Sequence, residues 1–158
     1  IWDAADRGEI GADDPLNLMN DYMGPALDTT INATSNLVWQ FATNPDQWDL
    51  LREQPNLIPN AIHEGLGHEA VIMTFSRVLT HDHEVDGLAL PSGARVVVHY
   101  GSANRDERRF ADPDRFDITR RDGPRLHMVF GGGAHRCLGE MLARIEMEET
   151  VAAIIDGT

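Results

Sequence analysis

The order of apolar and polar residues predicts a mainly helical chain with a short β region in its middle. From Leu16 to Thr43, apolar and small residues recur at helical spacing, as at Leu18 and Leu37, so we expect one long helix there. Gly24-Pro25 interrupts this run, and we expect a local distortion because proline lacks an N–H and crowds the carbonyl four residues back. A short helical segment over residues 1–10 and an acidic turn precede it.

Three further helices follow from the same periodicity. Asn44 is a suitable N-cap and Pro45 a suitable first residue for a helix that runs to about Glu53. A second helix is expected from about Leu57 to Glu69, and a third over the amphipathic run from Leu138 to Ile155.

Residues 74–100 alternate and turn, which is typical of β structure. Thr74 to Thr80 reads as a strand, and Glu84 to Leu90 as a hairpin with Asp86-Gly87 at its turn. Arg95 to Tyr100 is rich in valine and is expected to form a third strand.

Cys137, the only cysteine, lies between a glycine-rich loop and the last predicted helix. A helix N-terminus stabilises an anion, and glycines allow backbone N–H groups to turn toward a sulfur. A thiolate in such a place is a soft metal ligand that suits haem iron. A buried free cysteine after a flexible loop is the plainer alternative.

Composition narrows the possible functions. The net charge of −13 argues against general nucleic-acid binding, and no apolar run approaches the ~20 residues that a membrane span needs. A single cysteine allows no internal disulfide, which fits a reducing, cytoplasmic setting. All thirteen basic residues are arginine, which favours a bacterial source with GC-rich coding.

The segment Phe130 to Gly139 fits the pattern F-x-x-G-x-x-x-C-x-G, with its fixed positions at Phe130, Gly133, Cys137 and Gly139. This pattern resembles the haem-binding loop of the cytochrome P450 family. The resemblance implies a haem b cofactor, an iron protoporphyrin IX, whose axial metal ligand is the Cys137 thiolate.

The same resemblance implies further cofactor contacts. Phe130 and Gly131 would pack beside the haem, while His135 and Arg77 would pair with its propionates. Arginine suits that task because its planar fork can hold a carboxylate by two hydrogen bonds. A surface charge is the alternative for each of these two residues.

The long helix carries Pro25-Ala26-Leu27-Asp28-Thr29, which resembles the family's A-G-x-[DE]-T at the acid and the alcohol but not at the alanine and the glycine. The resemblance implies that Asp28 and Thr29 are catalytic and help to deliver protons during oxygen activation. The alternative is that both are ordinary helix residues, with the Thr29 hydroxyl bonded back to a carbonyl.

The family's E-x-x-R motif is present only in part. Glu64 matches the acid, whereas Gly67 stands at the arginine position. Arg115 matches the later arginine of the family's meander, so we expect a Glu64–Arg115 pair. A zinc site at His63 and His68 is disfavoured because residues five apart lie on diverging helix faces.

The resemblance implies a mainly α fold with small β-hairpins, the C-terminal part of the cytochrome P450 fold. It consists of the long central helix, glutamate-motif helix, meander, cysteine loop and final helix. Residues 1–158 would be a partial domain that lacks the N-terminal half and the extreme C-terminus, and we expect it to be inactive alone.

The implied function is a soluble, cytoplasmic haem monooxygenase that inserts one oxygen atom of O2 into a small organic substrate, with aromatic acids as one class. A ferredoxin-type donor with its reductase would supply electrons, and neither nucleic acid nor membrane would be a partner. Residues 105–144 hold nine of the thirteen arginines and would face the acidic donor. The alternative is a truncated, non-catalytic remnant that cannot bind haem productively.

Overall fold

The computed structural model describes residues 1–121 and 127–157, which fold mainly as helices with two small antiparallel sheets. This is the class that the apolar spacing predicts. The helices are α1 (Trp2–Asp6), α2 (Asp14–Thr43), α3 (Pro45–Glu53), α4 (Ile58–His68), α5 (Tyr100–Ala103) and α6 (Glu140–Gly157). The strands are β1 (Thr74–Val78), β2 (His83–Val85), β3 (Leu88–Leu90) and β4 (Arg95–His99), and single 3-10 turns lie at Pro55–Leu57 and Gly133–His135.

Helix α2 continues through Pro25, so the interruption predicted at that residue is not a helix end. The helix begins two residues before the predicted start, with Pro15 in its first turn, where a missing N–H costs little. At its other end the Asn44 side chain donates to the Gln40 carbonyl at 2.8 Å, so this amide serves the end of α2.

The predicted β region is confirmed. The turn residues Asp86 and Gly87 both have positive φ, 49° and 79°, as a tight hairpin between β2 and β3 requires. β1 pairs antiparallel with β4 from Thr74 opposite His99 to Val78 opposite Arg95, so the small hairpin lies in the connection between them.

The core lies where the second half of α2 meets α3, α4 and α6. Leu37 of α2 is fully buried. A Cβ atom added to Gly65 of α4 would lie 2.5 Å from the Cδ1 atom of Leu37. Glycine at position 65 therefore allows the two helices to approach closely. The other buried apolar residues of this cluster are Ala33, Phe41, Leu51, Ala61, Ile62, Leu66, Phe116, Ile118, Met147 and Val151.

A buried ion pair connects α4 to the loop that follows β4 and α5. The Nε atom of Arg120 lies 3.0 and 3.2 Å from the two Glu64 carboxylate oxygens, and the Asp117 N–H donates to the same carboxylate at 2.9 Å. Both side chains are about nine-tenths buried. Burial raises the pKa of the Glu64 carboxyl, and the Asp117 N–H and Arg120 act in the opposite direction.

The prediction that Arg115 pairs with Glu64 is wrong. Arg115 is 62% exposed and lies 3.8 Å from Asp117. Arg120 takes the place beside Glu64 because Asn60 of α4 donates to the Ile118 and Arg120 carbonyls and holds this end of the loop against the helix. The other guanidinium nitrogens of Arg120 then donate to main-chain carbonyls of residues 111, 112 and 115.

We expect Arg120→Ala to lower the free energy of unfolding by about 3–5 kcal/mol, because it leaves the buried Glu64 carboxylate without its cation. The matched variant Arg115→Ala removes an exposed arginine and should change stability by less than about 0.5 kcal/mol. Denaturant titration of both variants measures the difference. Equal losses, or a larger loss for Arg115→Ala, would contradict the assignment.

Candidate cofactor site

The loop that presents Cys137 is shaped by its own backbone. The Gly131 N–H donates to Met128 O at 2.8 Å, and the Cys137 N–H donates to Phe130 O at 2.8 Å, which closes the loop. Gly131 and Gly133 have φ values of 68° and 70°, a region that favours glycine. Glycine at position 131 and at the motif position 133 is therefore needed for the path of the chain into the cysteine.

The Cys137 thiol is exposed at the end of this loop. A stripe of exposed apolar side chains begins beside it with Leu138, which is 78% exposed. The stripe continues along α6 with Met141, Leu142 and Ile145, which are three, four and seven residues further on and so share one helix face. An open sulfur next to exposed apolar surface fits a flat, largely apolar ligand that the sulfur binds directly.

Arg136 fastens the loop to the first turn of α6. Its guanidinium binds both carboxylate oxygens of Glu140, at 2.6 and 2.8 Å, and donates to Gly131 O at 3.2 Å. The hydrogen bond from Arg136 holds the pKa of the Glu140 carboxyl below its usual range. The residue before the cysteine thus has a positioning contact.

A buried histidine pair supports the entry to the loop. His127 Nε2 lies 3.0 Å from His63 Nδ1 on α4, and the His127 ring lies 5.8 Å from the half-buried Phe130 ring. The next residue, Met128, donates its N–H to the Asn104 side-chain oxygen at 2.8 Å. Sequence reasoning missed His127 and Asn104; the position of His127 three residues before Phe130 is the signal that could have drawn attention to it.

The two residues predicted to pair with haem propionates are both exposed. Arg77 lies on β1, where its guanidinium donates to Ser76 O at 3.0 Å and lies 5.6 Å from the centre of the Phe75 ring. His135 ends the 3-10 turn of the cysteine loop. Their solvent-facing side chains are available to a ligand carboxylate.

The predicted catalytic pair lies on α2. Asp28 is exposed, and Thr29 is half-buried with its hydroxyl donating to Pro25 O at 2.6 Å. This is the back-bonded arrangement that the plainer alternative describes. Helix α2 packs against α4 and α6, so the helix that carries Asp28 and Thr29 contacts the helix that follows Cys137.

A groove of about 560 Å³ runs between α2 and α6, and two of its lining residues, Ala26 and Thr30, flank the predicted catalytic pair. Its lining is mostly small or aliphatic: Ala26, Thr30, Ile31, Thr34, Ser35, Val38, Glu146 and Thr150. It contains neither the cysteine nor the proposed proton-delivery pair, so size alone does not identify the chemical site.

Comparisons with known proteins agree with this geometry. The sequence model described as Cytochrome P450 matches residues 4–156. The chain is 40% identical over 150 residues to Cytochrome p450 CYP199A2 of Rhodopseudomonas palustris, covering 95% of this chain and 36% of that protein. It is 43% identical over 129 residues to a luteothin monooxygenase of Streptomyces thioluteus, covering 80% of this chain and 31% of that protein.

Solved structures agree as well. The crystal structure of CalO2 superposes with a TM-score of 0.90 at 37% identity, covering 97% of this chain and 38% of that one. The crystal structure of P450BioI in complex with an acyl carrier protein has a TM-score of 0.80 at 38% identity, covering 84% and 34%. A family match over nearly the whole sequence, with the same fold, has one meaning: this chain belongs to the cytochrome P450 family.

The chain spans about a third of the length of the curated relatives it matches. The family uses haem with a cysteine thiolate ligand, and this chain contains one cysteine. Within residues 1–121 and 127–157, no helix combines the length and apolar character that crossing a membrane requires.

We expect stability to fall as the pH drops from about 6.5 to about 4. Burial, with a smaller contribution from His63, lowers the pKa of His127 to about 4, and Arg136, Glu140 and Arg144 of the neighbouring loop and α6 act more weakly. The folded state therefore binds fewer protons than the unfolded state in this interval. The contribution of His127 to this loss should reach about 3 kcal/mol by pH 4.

Denaturation at several pH values measures this dependence. In His127→Gln the slope should become shallower, with a remainder from His68, whose pKa burial also lowers. His83→Gln removes an exposed histidine and should keep the original slope. An unchanged slope in His127→Gln would show that another group carries the effect.

Proposed function

We propose that this chain is the haem-binding part of a cytochrome P450 monooxygenase, with Cys137 as the axial thiolate ligand. The observation that carries the proposal is the exposed Cys137 thiol, placed at the end of a closed glycine loop and at the head of an exposed apolar stripe. Such a sulfur is open to a metal, and the stripe offers contact to a porphyrin.

When bound, haem supplies the redox chemistry of O2 activation. The roles of the protein residues are to hold and orient it. In the proposal, Cys137 would bind the iron and donate electron density to it, Phe130 and Gly131 would pack beside the sulfur, and Arg77 and His135 would bind the propionates. The exposure of Arg77 and His135 supports the last role.

Asp28 and Thr29 are proposed to deliver protons during the activation of O2. A hydroxyl can pass on a proton only if it exchanges partners, and the Thr29 hydroxyl now donates to Pro25 O. The exposed Asp28 carboxylate is one residue away and can resupply a proton from solvent.

The proposed electron donor is a ferredoxin-type protein served by its reductase. Arg105 is held by the His68 and Pro113 carbonyls and by Asp114, and Arg108 is paired with Asp106. Those contacts reduce the charge that either arginine offers to an acidic partner. The exposed Arg109 is a better candidate for the docking face than the sequence alone would indicate.

The proposed reaction inserts one atom of O2 into a small organic substrate in the cytoplasm, and aromatic acids are the class to test first. We expect the 158-residue chain alone to be inactive, since it spans about a third of its relatives. The alternative, a non-catalytic remnant, is favoured by Gly67 at the arginine position of the E-x-x-R motif.

Haem reconstitution distinguishes these two functions. The reduced, carbon-monoxide-bound protein should give the thiolate-type Soret band, and Cys137→Ser should abolish that band because the alcohol does not replace the thiolate. Cys137→His offers a second ligand and should bind haem with a different band. Survival of the thiolate-type band in Cys137→Ser would overturn the axial assignment, and failure of the parent chain to bind haem would favour the remnant.

For Thr29→Ala in a complete haem-loaded enzyme that contains this sequence, we expect several-fold more hydrogen peroxide per electron consumed, because proton delivery is slowed. Thr34→Ala is the matched control, since Thr34 makes the same type of hydrogen bond to the carbonyl four residues earlier, at 2.8 Å. Peroxide yield and product yield are measured together. Equal coupling in both variants would remove Thr29 from proton delivery.

A further inference from the structure

A small polar cavity lies between α4 and the loops that lead to the cysteine. Its volume is about 20 Å³, and its lining includes His63, Glu64, Gly67, Asn104, Arg120 and His127. A polar cavity of this size holds one water molecule if the surrounding groups can bind it. Room exists here partly because residue 67 has no side chain.

Two deeply buried atoms of this lining have no hydrogen-bond partner among the described residues. They are the Asn104 Nδ2 and the His127 Nδ1 atoms. Each residue is only 6% exposed. Buried polar groups are almost always paired, so two unpaired ones in the same cavity point to a bound molecule.

The existing hydrogen bonds define what that molecule must do. The Asn104 oxygen already accepts from the Met128 N–H at 2.8 Å, so its Nδ2 is left as a donor. His127 Nε2 shares a proton with His63 Nδ1 at 3.0 Å, which leaves His127 Nδ1 as an acceptor or a donor according to the tautomer. The bound molecule must accept a hydrogen bond from Asn104 Nδ2, and it must be able either to donate to His127 Nδ1 or to accept from it.

Charge argues against a cation in this cavity. The Glu64 carboxylate already accepts from the Asp117 N–H and from Arg120, so its negative charge has a partner. A neutral molecule of water's size that both donates and accepts meets all of the requirements.

We propose that this cavity is a binding site for one buried water molecule, which bridges Asn104 Nδ2 and His127 Nδ1. The bridge connects the turn after α5 to the residues that enter the cysteine loop, beside the direct bond from Met128 to Asn104. It also gives Gly67 a definite role, since a Cβ there would lie 3.3 Å from His127 Cβ and a larger side chain would enter the cavity.

NMR on the 158-residue chain tests the proposal. The side-chain amide protons of Asn104 should give a cross-peak to a long-lived water, with the sign of dipolar transfer rather than of proton exchange. Absence of that peak, with the amide resonances visible, would overturn the site.

Oxygen-17 relaxation dispersion gives an independent count of long-lived waters. Gly67→Ser places a hydroxyl in the cavity and should lower that count by one. Gly157→Ser is the matched control, because nothing lies within 4 Å of a Cβ at that helical glycine, and its count should equal that of the parent chain. An unchanged count in folded Gly67→Ser would overturn the location, and if that variant does not fold, the Asn104 cross-peak decides.

Discussion

The buried contact between Glu64 and Arg120 holds the loop that follows α5 against the helical core. Glu64 lies on α4, which packs against both α2 and α6. Arg120 binds that glutamate through Nε. Its other guanidinium nitrogens donate to the main-chain carbonyls of residues 111, 112 and 115. Because both side chains are about nine-tenths buried, water cannot replace either partner at low cost. The pair therefore holds residues 111–120 of the loop against α4.

The cysteine loop is held in a different way, by short-range contacts. Its closing bond joins residues seven apart, Cys137 and Phe130, and Arg136 binds Glu140 four residues later. Such local contacts cost little chain entropy to form. The position of the loop in the molecule depends instead on long-range bonds, from His127 to His63 and from Met128 to Asn104. The shape around the sulfur and its location are thus determined by separate sets of residues.

The difference between local and long-range contacts explains which parts of the structure the sequence alone could predict. Helices α2, α3, α4 and α6 and the hairpin followed from periodicity and turn residues, which are local signals. The motif around Cys137 is local too, and the family it indicated is confirmed. The identity of the residue that pairs with Glu64, in contrast, depends on contacts between residues far apart in the sequence. Arg115 and Arg120 lie in the same loop, and the bonds that anchor residues 117–120 to Asn60, Glu64 and Gln47 place Arg120 beside Glu64.

Glycine in place of arginine at position 67 alters the hydrogen bonding around Glu64 more than it alters the balance of charge there. With Arg120 as its partner, Glu64 forms a neutral pair, and burial keeps the neighbouring His127 uncharged at neutral pH. A second arginine at position 67 would bring a further positive charge into the same buried cluster, which would then need more acceptors. Without an arginine at position 67, the cavity is polar and has no net charge. A small neutral molecule can form hydrogen bonds with its unpaired atoms, Asn104 Nδ2 and His127 Nδ1. The helix can therefore fold around Gly67 without a buried charge left unpaired, and the glycine is compatible with the same fold.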